Sequence, residues 1–267
     1  MPFSGIGCAG HRIAGVDTCE PTGELRIRAE RVGRRTVVVD ACRTAPFHVG
    51  LPSHRAGDGS AELIVQGVGP GYLPGDRLAI DISVGEGASL AVRGQGATKL
   101  YPSPQGVPVV ANVALTVERG GWLAYLPGEL IPFRQSVLEQ VTHIDVGVGG
   151  SLALGEILTP GRTAMGEIHQ FTRLRLDVRA RYNGRPCLIE RARLEPAWRP
   201  LTSIGRHGEY PIAGTLYLIG DGWTLSPAPT NPDGMTWASA KGDDYTFVRL
   251  LGPTVQAVSG AMRTLLA

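Results

Sequence analysis

One short pattern occurs three times in the middle of the chain, and it restricts the fold to something that stacks. The copies read V-G-E-G-A-S-L-A-V from Val84, V-E-R-G-G-W-L-A-Y from Val117 and V-G-V-G-G-S-L-A-L from Val146. Each is the apolar end of one strand, a glycine turn and the start of a second apolar strand. The copies begin 33 and 29 residues apart, a period at which one supersecondary unit buries its apolar side only against the next. Stacking in register would carry the stretches that follow to one side: Ala97-Thr98-Lys99-Leu100-Tyr101, Gly128-Glu129-Leu130-Ile131-Pro132-Phe133 and Gly155-Glu156-Ile157-Leu158-Thr159-Pro160-Gly161-Arg162. On that reading Lys99, Glu129 and Glu156 emerge near one another.

The flanking sequence is also strand-like. Residues 24–28, 78–84, 109–118, 137–148 and 174–179 alternate apolar and polar side chains. Residues 36–39 form an apolar run that reads as a strand buried on both faces, and 62–66 and 215–219 read as further strands. Glycine (37) and proline (20) are both abundant, as many short strands joined by tight turns require. Helical periodicity is scarce until the C-terminus, where Pro253 precedes Val255, Val258, Met262 and Leu266 at spacings of three and four. The expected fold is mainly β. It is an extended stacked-sheet or β-helix-like single domain over residues 23–267, with few short helices and one of them at the C-terminus. A Gly-rich flexible segment, 1–22, precedes it.

Composition excludes several classes. A hydrophobic fraction of 43% with 19% charged residues supports a packed core and excludes disorder. A net charge of +2 gives no reason to expect nucleic acid as a partner. No apolar run reaches the ~18–20 residues of a membrane helix, and the N-terminus lacks a signal-peptide layout; the expectation is a cytoplasmic protein with no membrane partner. Cys8, Cys19, Cys42 and Cys187 include no C-x-x-C pair and read as free thiols of a reducing compartment. Cys8, His11 and Cys19 lie too loosely in the tail to form a prearranged metal site. His48 and His54 read as surface residues. Arg173, Arg175, Arg179 and Arg181 occupy alternate positions of one strand, either a solvated face or a docking face for an acidic partner.

Common catalytic signatures are missing. The sequence holds no H-E-x-x-H, no paired-cysteine zinc pattern and no G-x-S-x-G. In the stretch from Gly94 to Lys99 the lysine follows Thr98 instead of a glycine, so it is not a phosphate loop. The glycines from Gly67 to Gly71 lack both dinucleotide spacing and a βαβ context. What remains is a constellation: Asp76 just before a strand, Thr98 and Lys99 after the first repeat, Glu129 after the second, Glu156 and Arg162 after the third, and Glu167 beyond. Such a set fits an acid–base site in a β-helical enzyme, a structural ion-pair network or a polar path for a cation. Spacing does not choose among these.

A resemblance does. Gly75-Asp76-Arg77-Leu78, Ala97-Thr98-Lys99-Leu100-Tyr101, Leu126-Pro127 with Ile131-Pro132-Phe133, and Gly155-Glu156-Ile157-Leu158 with Gly161-Arg162 resemble, in this order, strings of the urease accessory protein family UreD (UreH). Arg34-Arg35-Thr36 and Ala45-Pro46-Phe47 resemble its opening. The similarity covers residues 24–195. It departs where the family's glycine-rich turn before R-L reads Val68-Gly69-Pro70-Gly71-Tyr72-Leu73-Pro74-Gly75-Asp76. Gly155 also replaces the usual tryptophan before E-I-L, which is expected to remove an aromatic wall beside Glu156.

The resemblance implies a non-enzymatic scaffold that binds a helical UreF-like protein and, through it, a UreG-like GTPase, and docks on apo-urease. It implies no tightly bound cofactor, only nickel in transit. Oxygen ligands spaced so that none traps the ion suit such transit, which points to Asp76, Glu129, Glu156 and Glu167, with Thr98, Lys99 and Arg162 in support. The alternatives are a β-helical enzyme acting on acidic carbohydrate through Lys99, Glu129 and Glu156, and a β-rich adaptor without metal passage.

Overall fold

The computed structural model describes residues 20–54, 57–203, 205–221, 223, 225 and 234–266. The flexible segment expected at 1–22 lies almost wholly outside them, as do Cys8, His11 and Cys19. In chain order the strands are β1 (Gly23–Val32), β2 (Arg35–Arg43), β3 (Phe47–Val49), β4 (Ser53–His54), β5 (Ala61–Gly67) and β6 (Arg77–Val84). Then come β7 (Ser89–Gly94), β8 (Thr98–Leu100), β9 (Val109–Val117), β10 (Trp122–Leu126), β11 (Glu129–Pro132) and β12 (Val137–Val146). The last are β13 (Ser151–Leu158), β14 (Arg173–Tyr182), β15 (Arg185–Leu194), β16 (Ile212–Gly220), β17 (Thr236–Lys241) and β18 (Tyr245–Gly252), followed by α1 (Val255–Leu265).

The strands form two facing sheets. One runs β15-β14-β12-β9-β6-β1-β2; the other runs β17-β18-β16-β13-β10-β7-β5-β3, with β4, β8 and β11 attached. The central strands of both are parallel, because each turn of the stack crosses from the first sheet to the second and returns. The three repeats are these crossings, and they stack without slippage. Val84, Val117 and Val146 are register partners in the first sheet, and Ser89, Trp122 and Ser151 in the second. The glycine that lets each turn close, Gly87, Gly120 and Gly149, has φ of 62°, 62° and 68°, a left-handed conformation that costs glycine little.

Antiparallel hairpins end the stack. β1–β2 closes one side of the first sheet and β14–β15 the other, while β16–β18 extend the second. This explains the one strand misjudged from sequence. Residues 36–39 fall in β2, an edge strand with Val37 40% and Val39 53% exposed, not in a strand covered on both faces. The cysteines also differ from expectation: Cys42 is disulfide-bonded, and Cys187 alone is free among the described residues.

α1 packs on the outer side of the second sheet, touching β13, β16 and β18. Thr254 caps it, its hydroxyl accepting from Ala257 N at 3.1 Å, and Val258, Ala261, Met262 and Leu265 are buried. Gly214 makes the close approach possible, since a Cβ there would meet Val258 Cγ1 at 2.5 Å and Met262 Cε at 2.7 Å.

Candidate functional site

Alternation along each strand decides what faces the interior between the sheets. At one end the facing rows are dry: Ile82, Leu115, Ile144, Ala180 and Leu188 lie across the first sheet, and Leu90, Leu123, Leu152 and Ile219 across the second. Towards the other end the same inward positions turn polar. Gln140 and Thr142 interrupt the row positions of β12, Glu190 that of β15 opposite Val178, and Glu156, Thr215 and Arg249 form one row across β13, β16 and β18.

These groups line an internal chamber of about 120 Å³, together with Thr98, Glu129, Tyr125, His207 and Tyr217. That is space for roughly four waters. Gln140 Nε2 donates to Glu156 Oε1 across the two sheets at 2.7 Å. Tyr217 Oη donates to Glu190 Oε2 at 2.5 Å, and Arg249 pairs with the other oxygen of Glu190.

Burial pushes the Glu156 carboxyl up to about 7; Glu190 adds to the rise, while Gln140 and Arg249 oppose it. At neutral pH it therefore exchanges readily between acid and carboxylate. Burial also lowers His207 to about 4, with His169, Arg249 and Arg206 acting in the same direction. Its ring is neutral at physiological pH, and its buried Nδ1 has no hydrogen-bond partner among the described residues.

A second chamber of about 460 Å³, open to solvent along its exposed glycine-rich wall, adjoins the first, and the two share Tyr72, Thr98, Tyr125 and Pro127. Its wall includes the stretches from Gly67 to Tyr72 and from Gly94 to Lys99, the two glycine-rich segments that failed as nucleotide motifs. Tyr72 stands at the shared wall, its hydroxyl pushed up to about 12 by burial despite a hydrogen bond with Thr98.

The expected constellation is thus split. Glu129 and Glu156 border the inner chamber with Thr98, whereas Lys99 lines only the outer one. Pairing of the short strands explains this. Thr98 stands opposite Leu130 and Lys99 opposite Ile131, and Glu129 stands opposite Ile157, one residue out of step with Glu156. A one-residue offset changes the face a side chain occupies, and the break at Gly128, with φ 94°, returns Glu129 to the chamber.

Asp76 and Glu167 line neither chamber. Asp76 closes its own turn: Oδ2 accepts from Leu73 N at 2.7 Å, and its N–H donates to Leu73 O at 3.0 Å. Glu167, 4% exposed, is held at both oxygens by Arg162, at 2.8 and 2.5 Å, and accepts from Arg134 N at 3.2 Å. These bonds hold its carboxyl below the usual range. The Arg162 guanidinium lies 4.2 Å from the Phe133 ring centre, and Phe133 lies 5.0 Å from Tyr101. Three of the motif segments meet in this knot.

Gly155 requires a correction. It faces α1, not the chamber: a Cβ there would meet Leu126 Cδ2 at 2.6 Å, Leu216 Cδ2 at 3.2 Å and Met262 Sδ at 3.8 Å. Successive strand residues point to opposite faces, so its lack of a side chain leaves room under the helix and removes no wall beside Glu156. The chamber residues missed by motif reading are Gln140, Glu190, Tyr217, Arg249 and His207. Gln140 and Glu190 had a signal in the sequence, namely a polar residue at the inward parity of an otherwise apolar strand.

No cluster of three or more His, Cys, Asp or Glu among the described residues is arranged to hold a metal ion, and no described helix is long and apolar enough to cross a membrane.

The arrangement defines a class: a stacked two-sheet β scaffold whose ordered interior gives way to two adjoining chambers, the inner one walled mostly by apolar side chains with a few ionisable groups set among them. Sequence comparison supplies the family. A family model described as UreD urease accessory protein matches residues 21–267. A urease accessory protein UreD from Cupriavidus necator is 32% identical over 250 residues, 89% of this chain and 85% of that protein. Another from Sorangium cellulosum is 31% identical over 248 residues, 89% of this chain and 77% of its own. One from Lachnoclostridium phytofermentans is 29% identical over 200 residues, covering 75% and 73%. The chain belongs to the UreD family of urease accessory proteins.

Proposed function

We propose that this chain is a scaffold for nickel insertion into apo-urease. It acts without turnover of its own, binds a UreF-like helical protein and through it a UreG-like GTPase, and offers nickel a polar path. The observation that carries this reading is the inner chamber, where Glu156, Glu129, Gln140 and Thr98 present oxygen donors in a space large enough for a partly hydrated ion. Oxygen donors spread along a wall attract a divalent cation without holding it in a full coordination shell, as passage requires. Glu156 is the buried carboxyl of the wall: its proton, held up to about 7 by burial, is released when a cation takes up the carboxylate. Asp76 and Glu167 serve the path from outside by fixing the turn at Leu73 and the knot at Arg162. The carbohydrate-enzyme alternative asks for Lys99 beside both glutamates, and Lys99 lines the other chamber.

The test is co-expression with the cognate helical protein and GTPase, followed by activation of apo-urease in nickel. Glu156→Gln should assemble normally yet activate poorly, with the deficit shrinking as nickel rises. Full activation by this variant at limiting nickel would remove the chamber from the mechanism. Failure of the wild-type chain to co-elute with the helical protein would overturn the scaffold itself.

A further inference from the structure

The outer face of the first sheet carries an arginine field at one edge that the chamber does not use. Arg173, Arg175, Arg179 and Arg181 of β14 and Arg191 and Arg193 of β15 share this face, since Asp177 stands opposite Arg191 and Arg175 opposite Arg193. Three of the six are engaged locally: Arg173 with Glu139 at 2.8 Å, Arg175 with Asp177 at 3.2 Å, and Arg193 with Glu195 at 2.8 Å. Arg179, Arg181 and Arg191 are exposed, and their side chains have no ion-pair or hydrogen-bond partner among the described residues. Asp145, register partner of Arg181, is the remaining carboxylate of the patch. Six guanidinium groups against Glu139, Asp145, Asp177 and Glu195 leave this corner as positive as the net +2 of the whole chain. Arg179 and Arg181 lower the neighbouring His143, after burial, so the imidazole adds no charge of its own at neutral pH.

A second observation concerns the backbone. β15 is the last strand of its sheet, and no main-chain group outside β14 bonds to it among the described residues. Ile189 is 63% exposed on the same face, opposite Arg179. A free ten-residue edge is a template for a further strand, and side chains of an added strand would meet those of β15 at alternate positions.

We infer that the β15 edge is a docking site for an extended acidic segment of a partner protein, which adds as an eighth strand and places alternate carboxylates on Arg191 and Arg193 and an apolar residue on Ile189. The matching pattern is apolar-x-acid-x-acid, read in either strand direction. Arg179 stands opposite Ile189 and Arg181 opposite Pro186, about 7 Å apart on one face, so they hold a further carboxylate placed beyond the apolar residue. A protein segment fits better than a nucleic acid. The free arginines are interleaved with Glu139, Asp145 and Asp177, which repel a continuous phosphate backbone, while the exposed Ile189 suits a side chain. This inference does not depend on nickel passage.

The test uses the full chain and a fluorescent peptide in which glutamate alternates with threonine behind one valine, read by anisotropy at two salt concentrations. Binding should weaken with salt. It should fall at least about tenfold when Arg179, Arg181 and Arg191 are all changed to Glu, and be unaffected by the charge-matched reversal of Arg34, Arg35 and Arg43 at the opposite edge. Hydrogen exchange should show β15 amides protected by the peptide. Equal binding by the Arg179/Arg181/Arg191 variant, unprotected β15 amides, or tighter binding of oligothymidylate than of the peptide would each overturn the proposal. So would no binding at about 1 mM peptide. Circular dichroism of each variant guards against reading misfolding as lost affinity.

Discussion

The two ends of the interior are built from the same strands, yet they hold different things. At the dry end Leu90, Leu123 and Leu152 are fully buried and repeat from turn to turn. Two to four residues further along the same strands, the positions equivalent by alternation become Glu156, Thr215 and Arg249 facing Gln140 and Glu190. At each crossing the same valine, glycine and leucine recur (Val84, Gly87 and Leu90; Val117, Gly120 and Leu123; Val146, Gly149 and Leu152), because each turn must accept the next. The strand ends beyond are released from that demand, and there the chain places its ionisable groups. Apolar packing is concentrated at one end and ionisable groups at the other.

The largest effect that separates the ends is expected from truncation. Leu123→Ala, at a fully buried position, should cost about 3–4 kcal/mol in urea unfolding. Leu158→Ala, on the half-buried chamber wall, should cost less than half of that. Equal losses would erase the distinction.

Next comes Glu156. Its folded-state value near 7 lies above the ordinary carboxylate value, so the folded chain holds this proton more tightly than the unfolded one. The wild type therefore loses stability as pH rises from about 4.5 through 7, by at most about 3 kcal/mol and by less where chamber water solvates the charge. Glu156→Gln should match the wild type near pH 4 and exceed it at pH 8, when unfolding midpoints are compared across pH.

Glu167 should behave with the opposite sign. Its value is lowered by Arg162 and the Arg134 amide, so it contributes stability above the ordinary carboxylate range and loses it as the solution becomes acidic. Glu167→Gln should melt below the wild type at pH 7, with the gap closing in acid. A gap that widens in acid would mean that the Arg162 pairing does not hold in solution.

The smallest effect is set by the crossings. Gly120→Ala places a side chain at φ 62°, where open space leaves only the backbone penalty; about 1 kcal/mol is expected. A neutral result in thermal melts would show that the turns tolerate more than their repeated glycine suggests.

Much of this architecture is readable without coordinates. The period of the three repeats, the glycine at the same place in each and the alternation of 78–84, 109–118 and 137–148 determine stacked strands, because every unit shows the same apolar pattern and none can bury it alone. The helix after Pro253 follows from spacing. The family strings lie in order along the chain, and of the four carboxylates they bring together, Glu129 and Glu156 line one chamber while Asp76 and Glu167 do not.

What the sequence leaves undetermined is long-range register. Lys99 parts from Glu129 and Glu156 because β8 and β11 pair with an offset that only the assembled sheet sets. Residues 36–39 read as fully covered, yet sheet order makes β2 an edge. Glu190 and Arg249 are 59 residues apart, and no local pattern joins them. They meet because β15 ends one sheet where β18 extends the other, so their contact is a property of how the two sheets close, while each strand's own composition needs only its neighbours in sequence.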